Sequence, residues 1–396
     1  MPWFIPRTQL DTVEQIPFLQ QVENNPNRNY WLKGFAGSGK SVLLLHCLID
    51  EKRRNPNAKA IIVLYTYSLI DMIGEGIPNE YGNTPVVTFY KFRQMHQTFD
   101  LILVDEIQDI PEHDLIEINS KRSTNGRVIV AGDINQSIWD HSTPSETIIT
   151  TINSTQYNLN RIYRLSRRIR TITADFCEDK QAYLAAQVMD FNTNVPVTLV
   201  KADNIEQEYK WLWLSAKQYA QAGYVPSILI AKHEYIVPFF NAILRLENKP
   251  ALSNEIANPR DKNYSPINSH FRNHNLNIQY LGSKFGSFEE AHSRNLVTVM
   301  TYHSSKGLDF KTVFIPFLNQ GYEIWREPIS RAKTLFFVAL TRSREQLLLS
   351  YSGNSRHPFL TQSFMNECQI KNATEEINRI QNPLGGVNNG EDVVVI

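Results

Sequence analysis

Lys40 closes the run Gly34-Phe35-Ala36-Gly37-Ser38-Gly39-Lys40-Ser41, which spells G-x-x-x-x-G-K-[ST]. The chemistry such a run supports is polyphosphate binding. Gly34, Gly37 and Gly39 let the backbone curl so that successive N–H groups point at phosphate oxygens. Ser38 sits within the same curl. Lys40 reaches the β- and γ-phosphates, and the Ser41 hydroxyl is a ligand for Mg²⁺. A second run, Leu101-Ile102-Leu103-Val104-Asp105-Glu106-Ile107-Gln108-Asp109, ends four apolar residues in two acids. Asp105 is placed to hold Mg²⁺ and Glu106 to polarise an attacking water. Alone, the pair reads as well as an acidic turn after a strand. A third run, Val128–Trp139, repeats the device, and its Gln136 can sense a γ-phosphate by hydrogen bonding.

These side chains need rigid carriers. Tyr30–Lys33, Ala60–Tyr65, Thr84–Thr88, Asp100–Val104 and Arg127–Ala131 read as strands, and several are continuously apolar, as in a parallel sheet covered on both faces. Ser41–Asp50 is apolar enough for a buried helix, which puts the glycine-rich run at a helix N-terminus, where the dipole favours anions. Residues 1–150 are therefore expected to form an α/β nucleotide-binding domain. The polar stretch His141–Thr155 is expected to link it to a second α/β domain, residues 151–365. That domain is expected to open with a basic helix, Leu159–Phe176. Its predicted strands are Val195–Val200, Ser227–Ile230, Asn277–Leu281, Leu296–Thr301, Thr312–Pro316 and Gln346–Tyr351. Residues 250–276 read as a small insertion and 366–396 as a tail, with Gln381–Asp392 fraying.

Bulk properties bound the reading. The chain has 396 residues, 42% of them hydrophobic and 20% charged, with Lys+Arg and Asp+Glu at 40 each. No global basic field exists, so nucleic-acid binding must come from local groups. Cys47, Cys177 and Cys368 lack metal-ligand spacing and read as reduced structural residues of a cytoplasmic protein. Met1–Arg7 lacks the order of a signal peptide, and no 18-residue apolar stretch predicts a membrane span.

With the three runs in place, the chain resembles the superfamily 1 helicases of the UvrD/Rep type. Further segments carry the likeness: Ile162-Tyr163-Arg164-Leu165-Ser166 is similar to N-Y-R-S, Met300–Phe310 to M-T-x-H-x-A-K-G-L-E-F, and Phe337–Ser343 to Y-V-A-x-T-R-A. The likeness runs from about Gln15 to Gly353. It implies two tandem RecA-like domains with parallel sheets, a P-loop NTPase using ATP and Mg²⁺. It also implies residue roles. Tyr163 would stack on adenine, while Arg164 and Arg342 would reach the γ-phosphate from the second domain. Gln15 would read adenine, with Gln9 and Gln20 as competitors. Asp309 would contact ribose, one methylene shorter than the family's Glu, beside Gly307. The alternative for the Leu159–Arg170 run is a solvated basic helix face formed by some of Arg161, Arg164, Arg167, Arg168 and Arg170.

The same likeness assigns nucleic-acid contacts to Thr66, Tyr67, Thr88, Phe89, Trp139, Tyr302 and His303, with Phe89 and Phe92 equally readable as core. His141 and Ser142 stand where the family has a stacking Trp and an Arg. Phe92 leads almost directly into the strand before Asp105, so one of the family's large insertions is missing; the other is reduced to about residues 250–276. The expectation is an ATP hydrolase that translocates on single-stranded nucleic acid, DNA in preference to RNA, 3′ to 5′. A protein partner would supply unwinding or targeting. The alternative is a regulatory ATPase subunit of a repair, mobile-element or phage-defence complex that does not travel.

Overall fold

The computed structural model describes residues 4–65, 67–138, 143–189, 196–253, 256–257 and 263–382. The chain divides into two compact units. The first comprises Met1–Arg170 and Ala174–Phe191; the second comprises Thr171–Thr173 and Asn192–Ile396. The break expected at residue 150 thus falls inside the first unit.

Six strands build the first unit's sheet: β1 (Asn29–Gly34), β2 (Ala60–Leu64), β3 (Val86–Thr88), β4 (Phe99–Val104), β5 (Arg122–Gly132) and β6 (Ser154–Leu159). Their order is β3-β2-β4-β5-β1-β6, and every pairing is parallel. The five expected strands are all present. Side chains alternate between the two covered faces. Trp31, Ile61, Val63, Ile102, Val104, Val128 and Val130 pack on one face with Leu115, Ile118, Ile148 and Ile152 from two helices. On this sheet the helix Lys40–Arg54 is anchored by a buried ion pair: Arg127 on β5 donates to Glu51 at 2.9 Å and to the Val22 carbonyl at 2.9 Å.

Two sequence expectations fail between residues 150 and 176. β6 lies where a linker was expected to end. It pairs with β1 from Asn29↔Ser154 to Gly34↔Leu159. Its sequence, STQYNL, is polar because an edge strand is only half covered, so it shows no apolar run. The basic helix expected from Leu159 instead begins at Arg167. Upstream of it, Arg161–Ile162 is a short strand, β7, pairing with β8 (Gln187–Val188). The amides of Asn160 and Arg161 donate to the Glu14 carboxylate at 2.9 and 3.0 Å, and the Tyr163 amide donates to the Gly37 carbonyl at 2.9 Å. These bonds hold the segment extended against the first unit.

The second unit carries seven parallel strands: β9 (Val197–Ala202), β10 (Ser227–Ile230), β11 (Ile278–Tyr280), β12 (Val297–Thr301), β13 (Phe310–Ile315), β14 (Ser343–Ser352) and β15 (Gln369–Asn372), in the order β11-β12-β10-β13-β14-β9-β15. The expected tail is partly built in, since β15 pairs with β9 and leads into the helix Ala373–Gln381. Part of the predicted insertion is also tied down: Tyr264 stacks on Tyr280 with ring centroids 3.5 Å apart. Most of the stretch expected to fray, Gln381–Asp392, lies outside the described residues. Among the described residues, no helix is long and apolar enough to cross a membrane.

Candidate functional site

β1 is fully flanked, by β5 and β6, and its end Gly34 opens the glycine-rich loop. Gly37 and Gly39 take φ of +78° and +89°, a region that side chains resist, so the curl requires glycine at both. Space matters as well: a Cβ on Gly37 would come within 2.8 Å of the Arg164 Cβ, and one on Gly39 within 2.5 Å of the Gln15 amide nitrogen. The loop feeds directly into the helix Lys40–Arg54. Lys40 is nearly buried, and its ammonium donates to the Gly34 and Phe35 carbonyls at 2.9 and 3.1 Å. The Ser38 hydroxyl is buried beside Gly34.

β4 brings the acids to the same end of the sheet. The Ser41 hydroxyl donates to the Asp105 carboxylate at 2.5 Å, so the two expected Mg²⁺ ligands touch. The other Asp105 oxygen accepts the Glu106 amide at 2.9 Å. Burial, then the neighbouring Glu106 charge, pushes the Asp105 carboxyl up to about 6, against the pull of Ser41 and Lys40. A buried carboxylate and a hydroxyl, both hard oxygen donors, suit a magnesium ion that takes its remaining ligands from water and phosphate. Glu106 adopts φ 54°, ψ 43°, a left-handed conformation that costs a non-glycine residue about 1–2 kcal/mol. Residues held so cluster at functional sites.

Around this centre the structure gathers Gln136, Gln15, Tyr163 and Arg164. Gln136 follows β5, and its amide donates to Asp133 at 2.8 Å. Gln15 bridges the loop to the chain's start: its oxygen accepts the Asp11 amide at 3.0 Å and its nitrogen donates to the Ser38 carbonyl at 3.2 Å. Tyr163 lies beside the loop, and burial followed by the Asp11 charge holds its phenol well above the usual range. Tyr163 and Arg164 therefore belong to the first unit, which corrects their expected placement in the second domain.

The other expected residues distribute differently. Arg342 is 1% exposed within the second unit, where its guanidinium donates to the Val338 and Leu308 carbonyls at 2.8 and 2.9 Å and to the Thr341 hydroxyl at 2.9 Å. Gly307 takes φ +80° between β12 and β13, and Asp309 pairs with Arg344 at 2.7 Å.

Three expected nucleic-acid contacts are engaged elsewhere. Phe89 packs in the first unit's core with Phe92, and the Thr88 hydroxyl caps the helix Phe89–Arg93 by accepting the Lys91 amide. Tyr302 is wholly buried, because its amide extends the β12 ladder to the Ile230 carbonyl and turns the ring inward. Neither aromatic ring can stack on a base. Thr66 and Trp139 lie outside the described residues. Tyr67 is 41% exposed, and Tyr90, which sequence reasoning passed over, is 70% exposed. In the second unit, His303 faces Trp325 at 5.6 Å, and the Arg331 guanidinium lies 3.9 Å over the Trp325 ring. A lone Trp beside Arg326 in a polar loop was the available signal for Trp325.

Comparison with known proteins fits this geometry. The viral superfamily 1 RNA helicase core domain matches residues 31–223, and the UvrD-like helicase C-terminal domain matches residues 244–354. A probable DNA helicase II homolog of Mycoplasma capricolum is 29% identical over 163 residues, 39% of this chain and 20% of that protein. The ATP-dependent DNA helicase Rep of Buchnera aphidicola is 40% identical over 63 residues, 15% of this chain and 10% of that protein. The chain thus spans a minor part of both relatives. S. cerevisiae Dbp5 bound to RNA and ADP BeF3 superposes with a TM-score of 0.53 at 12% identity, covering 95% of this chain and 94% of that one, which shows a shared fold of tandem RecA-like domains. Two family matches in series, over the parallel sheets and loop just described, support the likeness to superfamily 1 helicases of the UvrD/Rep type.

Proposed function

We propose that the chain hydrolyses ATP at the Gly34–Ser41 loop and uses the cycle to move along single-stranded nucleic acid, DNA in preference to RNA, with 3′ to 5′ polarity taken from the resemblance. The observation that carries the chemistry is the Ser41–Asp105 contact, which joins two motifs 64 positions apart at one sheet end. Lys40 and the loop amides bind the polyphosphate. Mg²⁺, held by Ser41 and Asp105, would neutralise charge on the phosphates. Glu106 orients water and accepts its proton, and Gln136 bonds the γ-phosphate. Gln15 and Tyr163 form the base-binding side. Arg164, packed against Gly37, supplies a cation from within the first unit. Arg342 and Asp309 belong to the proposal through the resemblance alone.

On the nucleic-acid side, Tyr67 and Tyr90 in the first unit and His303 and Trp325 in the second are the aromatic groups proposed to stack on bases. Stacking of this kind tolerates any sequence. Robust unwinding is assigned to a protein partner, because the family's large insertions are reduced in this chain.

Two substitutions test the site. Lys40→Ala should abolish hydrolysis, since the phosphates lose their main cation. Glu106→Gln should retain ATP binding and lower kcat about 10²–10⁴-fold. Wild-type turnover in either variant would show that the site is assigned wrongly.

A further inference from the structure

Gln108 was not among the residues expected to act, yet it is wholly buried between the two acid-bearing strand ends. Its side-chain nitrogen donates to the Glu106 carboxylate at 2.5 Å. The amide oxygen accepts the Asp133 amide N–H at 3.2 Å, and the backbone carbonyl of Gln108 accepts the Thr143 amide at 3.2 Å. The orientation of the side-chain amide is therefore set by chemistry. A backbone N–H on one side demands the oxygen, so the NH₂ must face the carboxylate.

From these contacts, and resting on the ATPase reading above, we propose that Gln108 is a positioning residue that fixes the Glu106 carboxylate relative to the turn bearing Gln136. The connection is continuous. Glu106, at the end of β4, bonds Gln108; Gln108 bonds the Asp133 amide at the end of β5; Asp133 in turn accepts from the Gln136 amide. β4 and β5 are neighbours in register, Val104↔Val130, so the bridge spans two strand ends that the sheet already holds side by side. The proposed water-orienting acid and the proposed γ-phosphate sensor thereby share one hydrogen-bonded frame.

Two features of the sequence make sense on this account. Glu106 sits in a left-handed conformation, and the bond from Gln108 helps to hold its carboxylate in place. Gly132 is required for space: a Cβ at that position would lie 2.1 Å from the Gln108 amide oxygen. Any side chain at position 132 displaces the bridge.

The experiment measures ATP hydrolysis by the full chain with Mg²⁺ and saturating single-stranded DNA, together with melting temperature. Gln108→Glu is near-isosteric and keeps an oxygen on the Asp133 amide, but sets a second carboxylate against Glu106. Gly132→Ala disturbs the same bridge from the opposite side. Both are expected to lower kcat about 10–100-fold, with KM for ATP within about twofold of wild type. That split separates positioning of the acid from general damage, which would move kcat, KM and melting temperature together. Wild-type kcat in either folded variant, or a loss that tracks melting temperature, overturns the proposal. Should Gln108→Glu fail to fold, Gly132→Ala alone decides. Glu106→Gln, run in parallel, separates the two levels. If it is inactive while Gln108→Glu is unimpaired, only the role of Gln108 fails. If it retains wild-type kcat, the reading of the site falls and this proposal with it.

Discussion

Asp105 is buried beside a second carboxylate, which is an expensive arrangement for the folded protein without its ligands. Its carboxyl is pushed up to about 6 from an ordinary value of 3.8. The folded state therefore holds a proton that the unfolded chain releases. Stability from this group is fully present below about pH 4 and is lost as pH rises through about 6. Asp105→Asn removes the titration while keeping the shape. Relative to wild type, this variant should gain about 1–2 kcal/mol of unfolding free energy between about pH 5 and pH 7.5, in the absence of Mg²⁺ and ATP. Denaturant unfolding at the two pH values measures it, and a pH-independent difference would contradict the account. The site thus stores unfavourable electrostatics that a bound cation is suited to relieve, next to a Glu106 held in a left-handed conformation.

Elements decide which residues of a motif can act, and that is where sequence reasoning was weakest. The motif around β3 suggested Phe89 as a stacking residue, but the short helix Phe89–Arg93 turns Phe89 and Phe92 into the core and leaves Tyr90 outside. Phe89→Ala should cost about 3–5 kcal/mol of stability. Tyr90→Ala should leave stability nearly unchanged and weaken single-strand binding by about 1–3 kcal/mol, read by fluorescence titration. The reverse pattern would show that the faces are misassigned.

The strands themselves were legible, because runs such as Ala60–Leu64 and Leu101–Val104 are apolar without interruption and a two-sided parallel sheet is the structure that buries them. The phosphate loop was legible because glycine, lysine and hydroxyl must stand at fixed offsets. β6 was not, since an edge strand needs no apolar run. Neither was the extended course of Asn160–Tyr163, which depends on Glu14 and Gly37, partners far away in sequence. Gln108 lay in plain view within the acidic motif, but its role follows only from the proximity of β5.

At the scale of the whole chain, two parallel-sheet units each repeat the RecA-like plan. The first carries the loop, both acids and, contrary to expectation, Tyr163 and Arg164 as well. Equal numbers of basic and acidic residues give no global basic field, so the proposed attraction for a strand rests on local aromatic and cationic groups such as Trp325 with Arg331. The chain matches only a minor part of the helicases it resembles in sequence. The central claim is that hydrolysis at Lys40 and Glu106 is coupled to a single strand, and its most direct test is the steady-state ATPase rate of the purified chain alone and with single-stranded DNA, single-stranded RNA or duplex. The account predicts a low basal rate raised at least about tenfold by single-stranded DNA, less by RNA and least by duplex, with all stimulation lost in Lys40→Ala. A rate indifferent to every nucleic acid would contradict a translocase and favour a nucleotide-driven regulatory subunit.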